Sequence, residues 1–308
     1  MSKTNNILKT VIRFGIGIFF IVSAILKLLA LDHFELYIYS FHIVNLTLSG
    51  LVARGIIACE ILVGLLLILK VRYKEAWWLT MLMLVGFSFL LIYVMLFRDD
   101  SNCHCMGDLV EIKPWLSLVK NLIAIALLLF VRKEDDYQFG PLGRKLALTG
   151  AFLAALVPPF VLFPIDDVYN LFSKSGTLNY DETAFNRLMA DSSMQDVHIE
   201  EGNYIVGVIS SNCQFCRTSC LKVSEIVENN HLDTCRILFF VWGDSTSIEQ
   251  FKTDTKTESF RYVTINPITA VHVTRGSFPE YLYLKNGEVV KTADLRQLTE
   301  NSICDHMR

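Results

Sequence analysis

The sequence predicts a multi-domain chain, in which an all-α transmembrane bundle of about five helices is followed by an α/β domain. The chain has 308 residues, of which 52% are hydrophobic, a larger share than an ordinary soluble protein contains. Apolar runs of membrane-spanning length end near Pro164, and from Asp166 to Arg308 charges, turn residues and short apolar runs alternate as in a soluble domain. We therefore expect a membrane domain at 1–164, a linker at 165–177 and a second domain at 178–308.

Five apolar stretches are about as long as a helix must be to cross the hydrocarbon core of a bilayer, roughly 20 residues. The first stretch lacks a small-residue cleavage pattern and leads into further spans, so it is interpreted as a retained helix. The predicted spans run from Ile7 to Ala30, Leu48 to Leu69, Ala76 to Phe97, Pro114 to Val131 and Lys145 to Phe163. The chain is therefore predicted to be an integral membrane protein in contact with lipid.

Basic residues predict the orientation of these spans, because Lys and Arg near helix ends are retained on the cytoplasmic side. They lie before or within the first turns of the first span, between the second and third spans, and between the fourth and fifth: Lys3, Lys9, Arg13, Lys70, Arg72, Lys74, Arg132, Lys133, Arg144 and Lys145. In a bacterial inner membrane the N-terminus would then be cytoplasmic. By alternation, the loops Leu31 to Ser49 and Arg98 to Lys113, and everything after Pro164, would be extracytoplasmic.

The charge pattern gives no reason to expect a nucleic-acid partner. The net charge is −3 and no cluster of Lys and Arg is interleaved with aromatic residues, whereas nucleic-acid-binding proteins carry a basic patch. The eight cysteines are more informative, since they include two close pairs, Cys103/Cys105 and Cys213/Cys216. The orientation predicted above puts both pairs on the extracytoplasmic face, where thiols can form and exchange disulfides.

The second pair lies between a predicted strand and a predicted helix. Tyr204 to Ile209 is rich in β-branched residues and is followed by a turn, the Cys-x-x-Cys sequence and a helical pattern. This order places Cys213 at a helix N-terminus, where unpaired amides and the helix dipole favour the thiolate. Cys213 is therefore the predicted nucleophile, and Cys216, one turn further on, is placed to resolve a mixed disulfide.

The final part of the chain carries a family resemblance. The segment from Tyr281 to Val290 is predicted to be a hairpin with Asn286-Gly287 at its turn, and Phe278-Pro279 stands just before it. A Cys-x-x-Cys after the first core strand and an X-Pro before the last hairpin resemble the thioredoxin fold, particularly its TlpA-like extracytoplasmic relatives. The resemblance covers about Leu178 to Arg308.

This resemblance implies a cis peptide at Phe278-Pro279, with Pro279 against the active disulfide and receiving the backbone of the substrate. The chain departs from the pattern in having Asn212 and Gln214-Phe215 where such proteins often have Trp and Gly-Pro. The direction of electron flow is therefore left open.

A zinc site is the alternative interpretation of the same cysteines. Cys-x-x-Cys can form half of such a site, which needs two more ligands at a suitable spacing. Cys220 and His231 are candidates, but both lie on or after the same predicted helix. Redox chemistry is therefore favoured for Cys213 and Cys216.

The first pair lies in the loop between the third and fourth spans. A disulfide between Cys103 and Cys105 would close a small, strained ring, and strained disulfides are easily reduced. Such a disulfide is a suitable oxidant for a Cys-x-x-Cys dithiol. The alternative is that Cys103, His104 and Cys105 bind a soft metal such as zinc or copper(I).

The membrane half also resembles a family. Cys103-x-Cys105-Met-Gly between two apolar helices, followed by Lys120-Asn121, is similar to the MauE branch of the DoxX-like membrane proteins, as are Arg13 to Lys27 and Glu60 to Gly64. The resemblance covers about Leu8 to Val131 and implies a role in disulfide formation or maturation of exported proteins. Fusion of both halves parallels vitamin K epoxide reductase-like proteins with thioredoxin domains, which is an analogy of architecture.

Three ionisable residues, Lys27, Arg54 and Glu60, lie in or near the predicted spans, where charges are costly and are usually paired or functional. Lys27 can extend its ammonium group to the membrane interface, whereas Glu60 lies near the middle of its helix. A Lys27–Glu60 pair would either hold two helices together or form part of a proton path. Cys59, beside Glu60, is expected to be a small buried residue, and the alternative is a relay of electrons deeper into the membrane.

These observations favour a membrane-anchored thiol–disulfide oxidoreductase. Cys213 and Cys216, assisted by Pro279, would exchange disulfides with exported proteins and be reset by Cys103 and Cys105. No covalently bound cofactor and no metal is expected, and a membrane quinone is the candidate electron acceptor, by analogy with the vitamin K epoxide reductase-like proteins. The alternatives are a disulfide reductase fed by another membrane protein and a non-enzymatic metal-binding or assembly factor.

Overall fold

A computed structural model describes residues 3–98, 112–132, 140–172, 178–191, 194, 197–199 and 201–308. The chain divides into two compact units. Unit 1 consists of Met1–Ile38 and Gly50–Pro164, and unit 2 of Tyr39–Ser49 and Ile165–Arg308. Unit 1 is helical and unit 2 is an α/β domain, which confirms the predicted fold class.

Unit 1 contains the five predicted apolar helices. They are α1 (Lys3–Leu29), α3 (Leu46–Leu69), α4 (Tyr73–Phe97), α5 (Pro114–Phe130) and α6 (Pro141–Val157), which continues into a π-helical turn, Pro158–Leu162. Four of them, counting α6 with its π-helical turn, are long and apolar enough to cross a membrane, and the fifth, α5, is an apolar helix of 17 residues. The protein is therefore an integral membrane protein.

A short helix, α2 (Leu31–Tyr39), lies where the sequence analysis expected a loop. It has nine residues, too few to span a bilayer, so a search for membrane-spanning length passes over it. Its residues Leu31 and Phe34 are buried in a cluster with Ala24 of α1 and Ala53 of α3. The start of this predicted loop is therefore part of the helical core of unit 1.

Helices α1 and α3 approach each other closely at two glycines. A Cβ atom on Gly17 would lie 2.9 Å from the carbonyl oxygen of Gly64, and a Cβ atom on Gly64 would lie 2.8 Å from that of Gly17. Small residues at such a crossing allow two backbones to pack against each other in a membrane. Gly64 therefore has a packing role.

Lys27 of α1 and Glu60 of α3 form the predicted ion pair. The Lys27 Nζ atom lies 2.9 Å and 3.0 Å from the two carboxylate oxygens of Glu60, and 2.6 Å from the Ser23 hydroxyl. Both charged side chains are buried, with exposures of 3% and 2%. The three donors of the ammonium group are all used, as a charge in an apolar interior requires.

Unit 2 is built around one five-stranded sheet. Its strands are β1 (Asn203–Ser210), β2 (Ile237–Trp242), β3 (Arg261–Thr264), β4 (Glu280–Lys285) and β5 (Glu288–Ala293), in the spatial order β3-β2-β1-β4-β5. β1 is parallel to β2, and β2 to β3, whereas β4 is antiparallel to both β1 and β5. The helices are α7 (Asp166–Phe172), α8 (Glu182–Met189), α9 (Gln214–Asn230), α10 (Ser245–Asp254), α11 (Pro267–Thr274) and α12 (Glu300–Met307). The order β1-α9-β2, then α11-β4-β5-α12, is that of a thioredoxin-like domain.

The two faces of this sheet are covered by different helices. On one face, side chains of β1, β2 and β4 form a hydrophobic cluster with α8 and α11: Val206, Val208, Leu238, Phe240, Leu282, Leu284, Phe185, Leu188, Ala270 and Val273. On the other face, the hydroxyl group of Tyr281 in β4 donates a hydrogen bond to Ser219 of α9. Gly207 of β1 makes room for the rings of this second face, because a Cβ atom there would lie 2.8 Å from Tyr281 and 3.0 Å from Phe239.

Residues 165–177, expected to be a linker, include a helix that is bonded to the rest of unit 2. The Asp166 carboxylate of α7 pairs with Lys222 of α9 at 2.7 Å and with Arg296 at 3.2 Å. Lys222 is almost fully buried and also donates to the Leu295 carbonyl. The domain boundaries predicted from the sequence stay a prediction, but α7 is joined to the helix that follows the Cys-x-x-Cys sequence.

The segment Tyr39–Ser49 contributes to unit 2 although it precedes that unit in sequence by more than a hundred residues. Tyr39 is buried, and its hydroxyl is 3.4 Å from the Asn230 amide of α9. The Leu46 amide donates to the Glu300 carboxylate of α12 at 2.9 Å. Pairing between residues this far apart could not be inferred from sequence patterns.

Candidate redox site

Cys213 is the N-cap residue of α9, as the sequence predicts. It has extended backbone angles, and its Sγ atom accepts a hydrogen bond from the Cys216 amide at 3.3 Å. The Cys213 amide donates to the Ser210 carbonyl at the end of β1, and the Ser211 amide donates to the carbonyl of Trp242 in β2. These bonds form the turn that places the sulfur at the first free amides of the helix.

This position makes Cys213 unusually acidic. Hydrogen bonds from the Cys216 side chain, and to a smaller extent from the Cys216 and Phe215 amides, lower the pKa of Cys213 from 9.0 to about 6, although partial burial opposes the shift. The side chain is half-buried, so its sulfur is accessible to a partner. A thiol with this pKa is largely thiolate at neutral pH, which is the nucleophilic form.

Cys216 has the opposite environment. It is fully buried, its Sγ atom lies 3.5 Å from the Ser210 amide, and both its hydrogen bond to Cys213 and its burial raise its pKa. Cys216 is therefore protonated while Cys213 is a thiolate. This asymmetry suits an exposed attacking sulfur and a buried resolving sulfur.

Pro279 lies at the same end of the sheet as these cysteines. The peptide bond between Phe278 and Pro279 is cis, as the thioredoxin resemblance implied. Glu280, the next residue, pairs with Val208, two positions before the end of β1. Since β4 is antiparallel to β1, its first residues lie beside the last residues of β1, from which the Cys213 turn begins.

The aromatic ring of Phe278, the residue directly before Pro279 in the sequence, packs against a side chain of β2. It packs against Trp242 at the end of β2, with ring centroids 6.5 Å apart in an edge-to-face arrangement. Phe215, between the two cysteines, is 64% exposed. Phe215, Phe278 and Trp242 thus place aromatic surface at the end of the sheet that carries Cys213 and Pro279.

A buried polar network lies behind Cys216 and was missed by the sequence analysis. The Tyr281 hydroxyl donates to Ser219 Oγ at 2.9 Å and lies 3.5 Å from Cys220 Sγ, and Ser219 donates to the Cys216 carbonyl at 2.9 Å. Burial raises the pKa of Cys220 to about 12, so this thiol stays protonated. The spacing of Cys220 on the helix predicts its burial, but its partner Tyr281 lies 61 positions away.

The zinc alternative finds no support in the described residues. Cys220 is engaged with Tyr281, and His231 is the C-cap residue at the far end of α9. Within the described ranges, three potential ligand atoms lie within 4.8 Å of one another at His42, Glu225 and Glu228. There the Glu225 carboxylate already pairs with Lys256 at 2.8 Å.

The remaining cysteines fall into three groups. Cys103 and Cys105 lie outside the described residues, between α4 and α5. Cys235 is exposed and Cys304 is buried, and both are free thiols. Cys59 was expected to be buried, but it lies on the outer surface of the helices of unit 1, beside the buried Glu60. A small apolar thiol on such a surface is compatible with lipid.

Comparison with known families gives a match for the membrane half. Residues 5–132 match the model of a family described as Methylamine utilisation protein MauE. This match confirms the resemblance inferred for that half, and it includes Cys103, Cys105 and the Lys27–Glu60 pair.

Individual relatives match parts of the chain. Protein TlpB of Flavobacterium psychrophilum is 28% identical over 177 residues, which cover 53% of this chain and 47% of the relative, so the match spans less than half of that relative. Among solved structures, a secreted Mycobacterium tuberculosis disulfide oxidoreductase, homologous to E. coli DsbE, covers 34% of this chain and 80% of its own. Its identity is 9% and its TM-score 0.28.

Proposed function

We propose that this chain, with its MauE domain and its thioredoxin-like domain, is a membrane-anchored thiol–disulfide oxidoreductase that acts on exported proteins through Cys213 and Cys216. The observation that carries the proposal is the pairing of a half-exposed thiol, whose pKa is lowered to about 6, with a buried thiol one helical turn away. Strongly shifted thiols at a helix N-terminus are typical of redox centres.

The reaction transfers one disulfide. A client thiolate attacks Sγ of Cys213 in the Cys213–Cys216 disulfide, and Cys216 leaves as a thiolate that takes up a proton. The second client thiolate then attacks the client sulfur of the mixed disulfide and expels Cys213. The client loses two electrons and two protons in total. The site gains the two electrons and ends as a Cys216 thiol and a Cys213 thiolate, so one proton is on Cys216 and the other is released to solvent.

The acidity of Cys213 favours this direction. Because the thiolate is stabilised, the reduced form of the site is stabilised relative to the disulfide, which makes the disulfide a stronger oxidant. The low pKa also makes Cys213 a good leaving group in the second step. The oxidative direction is therefore the one we propose.

The membrane half supplies the step that restores the disulfide. In our proposal Cys213 attacks a Cys103–Cys105 disulfide, Cys216 resolves the mixed disulfide, and the two electrons pass to Cys103 and Cys105. A membrane quinone, which can accept two electrons and two protons, is the proposed final acceptor. Support for this coupling comes from the MauE match, which covers both cysteines and occurs in one chain with the redox site.

The test is the redox state of Cys213 and Cys216 in cells, measured by alkylation and gel shift in wild type and in Cys103→Ser/Cys105→Ser. We expect an oxidised pair in wild type and a reduced pair in the variant. A pair that is reduced in wild type and oxidised in the variant would reverse the direction and favour a disulfide reductase. An identical state in both proteins would break the coupling between the two cysteine pairs.

A second measurement separates redox chemistry from metal binding. Purified protein should oxidise a dithiol peptide after treatment with a chelator, and Cys213→Ser should abolish the activity. Stoichiometric metal that is lost on Cys103→Ser/Cys105→Ser, without disulfide exchange, would favour an assembly factor instead.

A further inference from the structure

Glu280 is a buried carboxyl group that the mechanism above does not use. It is the first residue of β4, follows Pro279 directly and is 2% exposed. Its side chain lies on the face of the sheet opposite α9, beside Val208 of β1, and α11 contributes the apolar Ala270 and Val273 to that face. Among the described residues no Lys or Arg side chain pairs with it. A buried carboxyl group without a cation is unusual, because ionisation there is costly.

Two neutral side chains hold Glu280 in place. The Asn179 amide, just before α8, donates to its Oε2 atom at 3.0 Å, and Thr292 of β5 also hydrogen-bonds to it. Thr292 Oγ1 accepts in turn from the Asn179 backbone amide at 2.9 Å. Glu280 thus joins the start of β4 to β5 and to the segment before α8.

The next residue, Tyr281, anchors the same strand on its other face, through its hydroxyl bond to Ser219 of α9. The strand that begins at Pro279 is therefore fixed from both sides. On the α9 face the anchor is a hydroxyl that stays neutral at physiological pH, since burial raises the pKa of Tyr281 well above 10.0. On the opposite face the anchor is an acid.

The charge of this acid changes near neutral pH. Burial, with a smaller contribution from the negative charge of Asp294, raises the pKa of Glu280 from 4.5 to about 7, while the hydrogen bonds from Asn179 and Thr292 oppose the shift. A raised pKa means that the fold favours the neutral acid. The contribution of the neutral Glu280 to the stability of the fold is fully present below pH 4.5 and is lost as the pH rises through about 7.

We propose that Glu280 is a positioning residue for disulfide exchange, whose neutral form holds Pro279 in place for the client and whose ionisation loosens it. The inference rests on the proposed function, because it assumes that a polypeptide client contacts Pro279. The ionised carboxylate would repel Asp294 and draw water into the face beside Val208. The expected consequence is weaker binding of polypeptide clients above neutral pH, without a change in the chemistry of the sulfur atoms.

The kinetic test compares a dithiol peptide with dithiothreitol, which is too small to depend on Pro279. In wild type we expect KM for the peptide to rise several-fold between pH 6 and pH 8.5. The dithiothreitol reaction should follow only the ionisation of the dithiothreitol thiol, because Cys213 is part of the disulfide that it attacks. Glu280→Gln, which keeps the shape and the bond from Asn179, should remove the pH dependence of KM. Glu288→Gln, at an exposed position of β5, should behave like wild type. An unchanged pH dependence of KM in Glu280→Gln would overturn the proposal.

A second test does not require redox activity. Hydrogen exchange of the peptide that contains residues 278–283, corrected for intrinsic rates, should accelerate several-fold from pH 6 to pH 8.5 in wild type and Glu288→Gln, but not in Glu280→Gln. Equal acceleration in all three proteins would reject the role of Glu280 even if exchange activity is found. Wild type could oxidise no dithiol and still show hydrogen exchange at residues 278–283 that accelerates in a Glu280-dependent way. In that case the proposed function fails, while the loosening of this strand by ionised Glu280 stands.

Discussion

At the scale of single residues, the reactivity of Cys213 comes from the place where α9 begins. The groups that lower its pKa are the Cys216 side chain and the amides of Cys216 and Phe215, and no Lys, Arg or His among the residues that the structure describes contributes. The strand-turn-helix order in the sequence predicts the helix N-terminus, and the structure has Cys213 as its N-cap residue. The role of Cys213 as nucleophile stays a prediction. The sequence could not predict the Tyr281–Ser219 bond, because the two residues are 62 positions apart.

The contribution of Cys216 can be measured at Cys213. In wild type, the rate of Cys213 alkylation, followed by mass spectrometry of its peptide, should rise with pH through an inflection near 6. Cys216→Ala removes the largest stabilising hydrogen bond, so the inflection should move to higher pH and the rate at pH 6 should fall. Cys235→Ala, at an exposed thiol outside the site, is the control and should leave the profile unchanged. An inflection that stays near 6 in Cys216→Ala would contradict this account.

The buried Lys27–Glu60 pair should be far more sensitive to substitution than an exposed pair. Glu60→Gln leaves the Lys27 ammonium buried without its counter-charge, which typically costs about 3–5 kcal/mol. The exposed pair Arg72–Glu75 is the matched control, since Glu75→Gln should cost at most about 1 kcal/mol. Thermal unfolding in detergent measures both. If the double variant Lys27→Met/Glu60→Gln is no more stable than Glu60→Gln, an unpaired charge is not the cause of the loss.

At the scale of elements, length and apolar composition predicted the long helices of unit 1, because the bilayer requires a run of roughly 20 apolar residues. Short elements were harder to predict from the sequence. α2 was missed since nine residues do not form a span, and α7 was included in a linker. The strands of unit 2 were predictable where β-branched runs meet turn residues, whereas the edge strand β3, with four residues, carries too little pattern to stand out.

The close crossing of α1 and α3 gives a prediction with internal controls. Gly17→Ala and Gly64→Ala should each destabilise the membrane unit by about 1–3 kcal/mol, because the new methyl group would overlap a backbone carbonyl oxygen. Gly15→Ala in α1 and Gly55→Ala in α3 have open space around the new atom and should be neutral or slightly stabilising. Thermal unfolding of the four variants in detergent tests this, and equal losses at all four positions would show that helix crossing is not the cause.

At the scale of the whole molecule, the change of composition near Pro164 was sufficient to predict two environments. The fold of each half then followed from motifs that lie close together in the sequence. The inclusion of Tyr39–Ser49 in unit 2 could not be predicted, because Tyr39 and Leu46 bond to residues of α9 and α12 that follow far later in the chain. Composition describes segments but not which distant segments pack together.

The orientation proposed from the basic residues can be tested on the intact chain. In cells whose outer membrane has been permeabilised and whose inner membrane is intact, a membrane-impermeant maleimide should label the exposed Cys235 of unit 2 without lysis. A cysteine introduced by Lys74→Cys, at the exposed start of α4, should be labelled after lysis alone. Each position is tested with the other cysteines replaced. Labelling of Lys74→Cys in intact cells, with protection of Cys235, would invert the topology.

The discontinuous make-up of unit 2 sets an order for its biosynthesis. Tyr39 and its partner Asn230 are 191 positions apart, which at roughly 5–20 residues per second corresponds to about ten to forty seconds of translation. During that interval Tyr39 has been synthesised but α9 has not, so Tyr39 cannot yet bond to Asn230. The domain that holds the reactive sulfur can therefore be finished only after α12 is complete, and a chain released early would lack both the Glu300 contact and the last piece of the fold.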